Sequence, residues 1–296
     1  LTNDQLSDKK TLRLPALDAQ LQAISQYKPI EHVDVYGGEI GLLDGIYLNE
    51  MKTVIRKYYA GKINVVTNLF RVPQFLFDPD VEVSVSYDFD CRERHEIVYD
   101  NIFKFRKPVH ILVLATKELM KKDVGEMIAA LNSLPNVRTV EIKPYSANQS
   151  NDQRIMNLEF ENFVKSWITC EVPKGFVLTN ESNIRESITG QYNAFSNNHI
   201  YVTPSGELAV LEFDELDREY FQVCNTMDDY INWTIKEQEQ VFSNSVCFPC
   251  EYVGRCLTEH MRSAQSTKMS CDGHIHLLNW YKYERMEAPA GNLSQD

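Results

Sequence analysis

The chain is predicted to be an α/β protein with a small cysteine-rich appendage, and three observations predict it. Over roughly the first 170 residues, segments of helical and strand periodicity alternate, as βα units around a parallel sheet do. Val109–Ala115 is an unbroken apolar run of strand length, the pattern of a strand covered on both faces. After Lys174 the rhythm changes to short turn-flanked strands, one amphipathic helix and a cluster of four cysteines. With 296 residues, 43% hydrophobic and 24% charged, the chain can build a full core, and global disorder is not expected.

Apolar residues Leu17, Leu21 and Ile24 predict a helix over 17–27, with Pro15 placed where a helix start tolerates proline. Val33-Asp34-Val35-Tyr36 reads as a short strand ending on Gly37-Gly38, followed by a helix over 48–59. Strands are expected at Ile63–Thr67 and, from its alternation, at 81–85. A helix over 95–105 precedes the strand Val109–Ala115, a helix over 124–134 follows it, and 137–142 forms a fifth strand. A helix over 160–168 ends this part. Five strands are too few for the eight-stranded closed barrel, so an open sheet or partial barrel is expected, with right-handed crossovers. Beyond it, 198–202 and 207–213 flank Pro204-Ser205-Gly206 as a hairpin, and 228–242 is an amphipathic helix. The expected domains are 1–174, 175–286 and a disordered tail over 287–296.

A net charge of -12 repels phosphate backbones, so nucleic acid is not an expected partner. No apolar run approaches the roughly 20 residues of a membrane helix, and no signal peptide opens the chain. Seven cysteines, four of them clustered, do not make a secreted disulfide scaffold, so a reducing, cytoplasmic setting is expected. Cys91, Cys170 and Cys224 are dispersed and read as inert thiols. The chain opens on Leu1 rather than Met and continues with polar residues, which reads as a piece whose beginning is missing.

Cys247, Cys250, Cys256 and Cys271 have the spacing Cys-x2-Cys-x5-Cys-x14-Cys. Four thiolates in a short irregular stretch suit zinc or an iron–sulfur cluster, and the spacing alone does not choose between them. In parallel sheets, ligands gather at the carboxyl ends of the strands. There the sequence offers Tyr36-Gly37-Gly38-Glu39, Thr67-Asn68, Ser84 with Ser86 and Asp88, Thr116-Lys117, and Lys143 with Tyr145. Paired glycines let backbone approach a ligand and a neighbouring carboxylate can bind an ammonium group, although Gly-Gly is equally the making of a tight βα turn. His32 is expected at the surface. His274 and His276 alternate as on a strand edge and read as supporting positions rather than ligands, while His199 is a candidate to line a pocket. No Ser/His/Asp set, P-loop or dinucleotide glycine fingerprint is present.

Taken in order, these segments resemble radical S-adenosylmethionine (SAM) enzymes. Val33 through Glu39 is similar to their second strand and Gly-Gly-Glu motif, and Ile63-Asn64-Val65-Val66-Thr67-Asn68 to their third strand. Val83-Ser84-Val85-Ser86-Tyr87-Asp88, followed by Arg92 and Arg94, is similar to the fourth. The hairpin and four cysteines resemble the SPASM or twitch auxiliary-cluster region, so the likeness spans about residues 10–280. It implies a partial (β/α)6 TIM-like barrel in which a 4Fe–4S cluster reduces SAM and a 5′-deoxyadenosyl radical takes hydrogen from substrate. It further implies that Gly37, Gly38 and Glu39 bind the methionyl amino group. Tyr36, Thr67, Asn68, Ser86, Asp88 and Arg94 would stand near SAM, with Lys143 and Tyr145 facing SAM or substrate as catalytic candidates. Cys247, Cys250, Cys256 and Cys271 would hold an auxiliary 4Fe–4S cluster, and flavodoxin or ferredoxin would supply electrons.

Two departures stand out. The family's Cys-x3-Cys-x2-Cys motif is absent from these residues. It is expected upstream of Leu1, because without a first strand the second would leave a sheet edge open. The hairpin also lacks the cysteines many SPASM domains carry, so one auxiliary cluster is expected. The leading expectation is peptide modification, as in the maturation of ribosomally made peptides. Epimerisation, dehydrogenation or other modification of a small metabolite or sugar is the alternative. A non-catalytic zinc scaffold is the alternative of another class, and a Rossmann-like nucleotide enzyme is disfavoured by the missing G-x-G-x-x-G.

Overall fold

Six strands form one wholly parallel sheet in the computed structural model, which describes residues 11–145, 155–213, 219–258, 271 and 273–286. The strands are β1 (Val33–Val35), β2 (Ile63–Thr67), β3 (Val81–Ser86), β4 (Val109–Ala115), β5 (Val137–Pro144) and β6 (Val177–Leu178), side by side in chain order. Helices α1 (Leu14–Tyr27), α2 (Gly45–Ile55), α3 (His95–Lys104), α4 (Val124–Asn132), α5 (Asn157–Thr169) and α6 (Thr179–Thr189) alternate with them. Between β2 and β3 a 3-10 turn, Gln74–Phe77, replaces the helix and buries Phe75 and Leu76 in its place.

Local chemistry sets these boundaries. Asp44 caps α2 by accepting from the Ile46 and Tyr47 amides, and Asp123 caps α4 through the Glu126 amide. Strands β2 and β4 bury every second residue, and β3 buries Ser84 as well. Val65, Val83, Val85, Ile111 and Val140 are buried and join one hydrophobic cluster with Leu48, Ile55, Ile102 and Ile128 from the helices. Each such burial contributes about 1.5–3 kcal/mol. The opposite sheet face carries Asn64, Val66, Ser86, His110, Leu112 and Glu141, all half-buried. The strand Val109–Ala115 is therefore covered fully on one face only. Its other face carries Leu112 and Leu114, both half-buried.

A second unit follows. β7 (Tyr201–Val202), β8 (Leu208–Phe213) and β9 (Glu219–Cys224) form an antiparallel sheet in that order. Helix α7 (Met227–Ser243) packs Tyr230 and Trp233 against its Leu208, Val210 and Cys224. Helix α1 joins the units: Gln20 Nε2 donates to the Gly206 carbonyl at 2.9 Å, and Tyr27 meets Tyr230 edge-on at 6.5 Å. Gly206 has φ 85°, and a Cβ there would stand 2.6 Å from that of Ala16, so both the turn and the packing require glycine.

The sheet has six strands rather than five and continues past residue 174. Two-residue β6 is too short to show alternation, and α6 is so polar that its period is hidden. Around His274 the expected strand edge is instead the start of helix α8 (Ile275–Tyr281), followed by a π turn, Lys282–Met286. The tail over 287–296 lies outside the described residues. No helix among the described residues is long and apolar enough to cross a membrane.

Candidate functional site

At the end of β1 the chain turns through Gly37 (φ 107°) and Gly38 (φ 55°). Those angles suit glycine, and a Cβ on either would meet nothing within 4 Å, so open space lies over the turn. Glu39 then ties β1 to β2. Its Oε1 accepts from Gly41 N at 2.8 Å and Thr67 Oγ1 at 2.6 Å, and its Oε2 accepts from Asn68 N at 2.9 Å. An ionised carboxylate offers about four lone-pair sites, so acceptor capacity remains on Oε2. Thr67 Oγ1 also accepts from the Leu69 amide at 3.0 Å, which helps hold Leu69 at φ 54°. Phe89 and Arg94, just beyond β3, also have positive φ. Non-glycine residues pay roughly 1–3 kcal/mol for such conformations, which concentrate at functional sites.

Beside this turn, Arg92 holds the end of β3. It donates to the Ser86 carbonyl at 3.1 Å and Ser86 Oγ at 3.2 Å, and pairs with Asp88 at 2.6 Å. The other Asp88 oxygen accepts from Leu114 N at 3.0 Å. Burial pushes the Asp88 carboxyl above its ordinary value, against the opposing pull of Arg92.

These groups surround a cavity of about 340 Å³. Residues 36–39 line it from β1, Val66, Thr67, Asn68 and Phe70 from β2, and Ser86 and Arg92 from β3 and its loop. Tyr36, Gly37, Gly38, Glu39, Thr67, Asn68 and Ser86 thus converge on one cavity. Asp88 stands behind Arg92. Arg92, not Arg94, lines the cavity, since Arg94 takes the left-handed conformation that starts α3. Val66 and Phe70 are walls that a search for polar strand ends passes over. Period two does place Val66 on the same face as Asn64.

Lys143 and Tyr145 lie apart from this lining. Lys143 is 3.8 Å from Glu141, and the Tyr145 amide donates to Ala115 O at 3.3 Å. A polar belt crosses the same sheet face below the cavity. His32 Nε2 lies 3.0 Å from Asp34 Oδ1, Asn64 Nδ2 donates to that oxygen at 2.6 Å, and Ser84 Oγ donates to Asn64 Oδ1 at 2.9 Å. His110 Nδ1 continues the belt to Thr139 Oγ1 at 2.8 Å. Partial burial works against ionisation of Asp34, but the hydrogen bonds from His32 and Asn64 outweigh it and hold the carboxyl below its usual range. His199 is not among the residues that line the cavity, and burial lowers its imidazole below the ordinary value, against the opposing pull of Asp34.

The second site is the cysteine segment after α7. Asn244 Oδ1 accepts from Val246 N and Cys247 N, and Cys250 N donates to Cys247 O, folding the first pair into a tight turn. Amides point at sulfur twice: Tyr252 N lies 3.4 Å from Cys250 Sγ and Gly273 N 3.3 Å from Cys271 Sγ. A Cβ on Gly273 would stand 2.9 Å from Cys256 Sγ and 3.6 Å from Cys271 Sγ, so glycine lets both thiols close in. Burial pushes the Cys256 thiol up to about 12, and the other three cysteines add to the shift. The four thiols therefore converge. Yet no group of three or more His, Cys, Asp or Glu among the described residues is placed to hold a metal ion. His274 is buried behind Cys271, with Nδ1 3.6 Å from Oε1 of the equally buried Glu161.

Compared with known proteins, the chain matches no protein-family model, and no curated protein matches it.

Proposed function

We propose that the chain is a radical SAM enzyme acting on a peptide, its parallel sheet being the partial (β/α)6 barrel of that class. The observation that carries the reading is the cavity itself. An open Gly37-Gly38 turn, the Glu39 carboxylate, Thr67, Asn68, Ser86 and Arg92 meet at the carboxyl edge of three adjacent parallel strands.

The chain's own residues suit SAM. The spare capacity of Glu39 Oε2 would take the methionyl ammonium, and the glycine backbone would let it approach. Arg92 uses part of its five-donor fork on Ser86 and Asp88, leaving donors for the methionyl carboxylate. Tyr36, Val66 and Phe70 give the apolar walls an adenosyl group needs, and the polar belt faces the substrate. The four-thiol segment fits a four-iron cluster. Such a cluster would take one thiolate per iron, which is what a set of four cysteines offers. When bound, SAM and a reducing cluster supply the hydrogen-abstracting 5′-deoxyadenosyl radical.

The test is equilibrium dialysis of labelled SAM against anaerobically purified protein, with iron, sulfide and zinc measured on the same sample. Glu39→Gln should weaken SAM binding roughly 10- to 100-fold, the scale of a hydrogen bond to a charged group. Unchanged affinity, or one zinc with no iron, overturns the reading.

A further inference from the structure

Two buried ionisable side chains stand together beside the cysteine segment and belong neither to the cavity nor to the thiols. Glu161 of α5 is 2% exposed, and His274, just before α8, 6%. His274 Nδ1 lies 3.6 Å from Glu161 Oε1, longer than the roughly 2.7–3.2 Å of a direct hydrogen bond. Nδ1 and the other carboxylate oxygen, Oε2, are both buried without a hydrogen-bond partner among the described residues. Folded proteins leave few buried polar atoms unpaired, and apolar side chains often replace a buried polar pair at no loss of stability. Packing alone therefore does not account for this pair.

The backbone ties the pair to the sulfurs. Gly273, the residue before His274, donates its N–H to Cys271 Sγ at 3.3 Å. A Cβ on Gly273 would stand 2.9 Å from Cys256 Sγ and 3.6 Å from Cys271 Sγ, so this residue lies against both thiols. His274 itself is held at φ 58°, which an L-residue adopts at a cost. Its ring centre lies 5.2 Å from that of Phe160, the neighbour of Glu161 on α5. Farther along the same two helices, Lys165 of α5 lies 5.5 Å over Trp280 of α8. Helix α5 thus grips the chain one residue beyond its contact with the sulfurs.

We propose that Glu161 and His274 are a positioning pair for the cysteine site. The carboxylate and Phe160 hold the imidazole, the imidazole holds the strained backbone at 274, and the Gly273 N–H is thereby aimed at Cys271. Hydrogen bonds to sulfur help set an iron–sulfur potential, because they favour the reduced, more negative cluster. The pair therefore raises both the iron retention and the midpoint potential of the site. This rests on the reading of the four thiols as a cluster site.

The test uses the full chain, purified anaerobically and loaded with iron and sulfide, the iron of the cysteine segment being the part lost in Cys250→Ser. Iron per chain is measured against rising EDTA, and the midpoint potential from the visible absorbance. His274→Ala and Glu161→Ala should each lose half their iron at about tenfold less EDTA than wild type, the scale of a lost outer partner of a metal site. His274→Ala should also have a lower potential. The double variant should lose iron no more readily than the weaker single one, as partners in one contact do. Ile102→Ala, buried in α3, gives the effect of lost stability alone and should keep iron and potential unchanged. His274→Gln keeps a donor but loses the ring, so it should fall between wild type and His274→Ala. It alone decides if the alanine variants do not fold: iron retention and potential equal to wild type overturn the pair. Additive losses in the double variant, or the same losses in Ile102→Ala, overturn it as well. A wild type that takes up no iron overturns the cluster reading and the pair with it, whereas iron held equally by wild type and all variants but Cys250→Ser overturns the pair alone.

Discussion

Gly37 and Gly45 pose one physical question with two answers. A methyl group on either would meet nothing within 4 Å, so sterics against neighbours do not distinguish them. The backbone does. Gly37 sits at φ 107°, where an L-residue is strained, whereas Gly45 has no positive φ and opens the first turn of α2 behind its Asp44 cap. Gly37→Ala should therefore cost about 1–3 kcal/mol in urea unfolding. Gly45→Ala should be neutral or stabilising by up to about 1 kcal/mol, as alanine is in a helix. Gly37→Ala should also weaken SAM binding, because relief of the strain swings the turn. Equal stability of the two variants would show that the Gly37 conformation is not held in the folded protein.

At the level of elements, the helix-free link between β2 and β3 is held by charge. Asp78 ends its 3-10 turn, pairs with Lys52 of α2 and accepts from Asp80 N at 2.9 Å. Nearby, Lys107 donates to the carbonyls of Leu76, Asp78 and Val81. Burial works against ionised Asp78, but Lys52 and the Asp80 amide outweigh it, so its carboxyl lies below the ordinary 3.8. An acid whose folded value is depressed contributes stability above its unfolded value and loses it as pH falls through the folded one. Melting temperature should thus drop as pH goes below 3.8, and Asp78→Asn should flatten that part of the profile. An unaltered profile would remove Asp78 from the account. This link also shows what the sequence could and could not convey. Strands β2 to β5 were legible from the β-rich composition of Ile63–Thr67, the alternation over 81–85, the unbroken apolar run Val109–Ala115 and the segment 137–142. Asp88 and Arg94 were legible only as polar residues near a strand end, since a salt bridge and a left-handed φ decide that Arg92 faces the cavity. Helix α6 and strand β6 were hidden because their partners supply the order: Asn180 pairs both its amide atoms with the Ile142 backbone, at 2.7 and 2.8 Å.

Across the whole molecule, the cysteine segment works as a clasp between the sheet's far edge and the C-terminal helix. Ser187 of α6 donates to the Arg255 carbonyl between Cys250 and Cys256. Tyr252 donates to Asn279 of α8 at 3.0 Å, and Tyr281 of α8 donates to Glu181 of α6 at 2.6 Å. A cluster on the four thiols would therefore cross-link α6, α8 and the turn after α7 at one point. Thiolates this close repel one another, and a metal centre on them would turn that repulsion into cohesion, coupling binding to folding. If the four thiols hold a metal centre, as proposed, chelating it, or Cys250→Ser, should cost roughly 3 kcal/mol, the scale of a lost long-range cross-link, and about 5 °C in Tm for a chain of 296 residues. Amide exchange should rise in α6 and α8 and stay unchanged in β2 and β3, which pack remote from the clasp. If metal-loaded and chelated protein melt together with identical exchange, the four cysteines do not join these elements. If β2 and β3 loosen equally, the clasp is not local and the chain unfolds as a single unit.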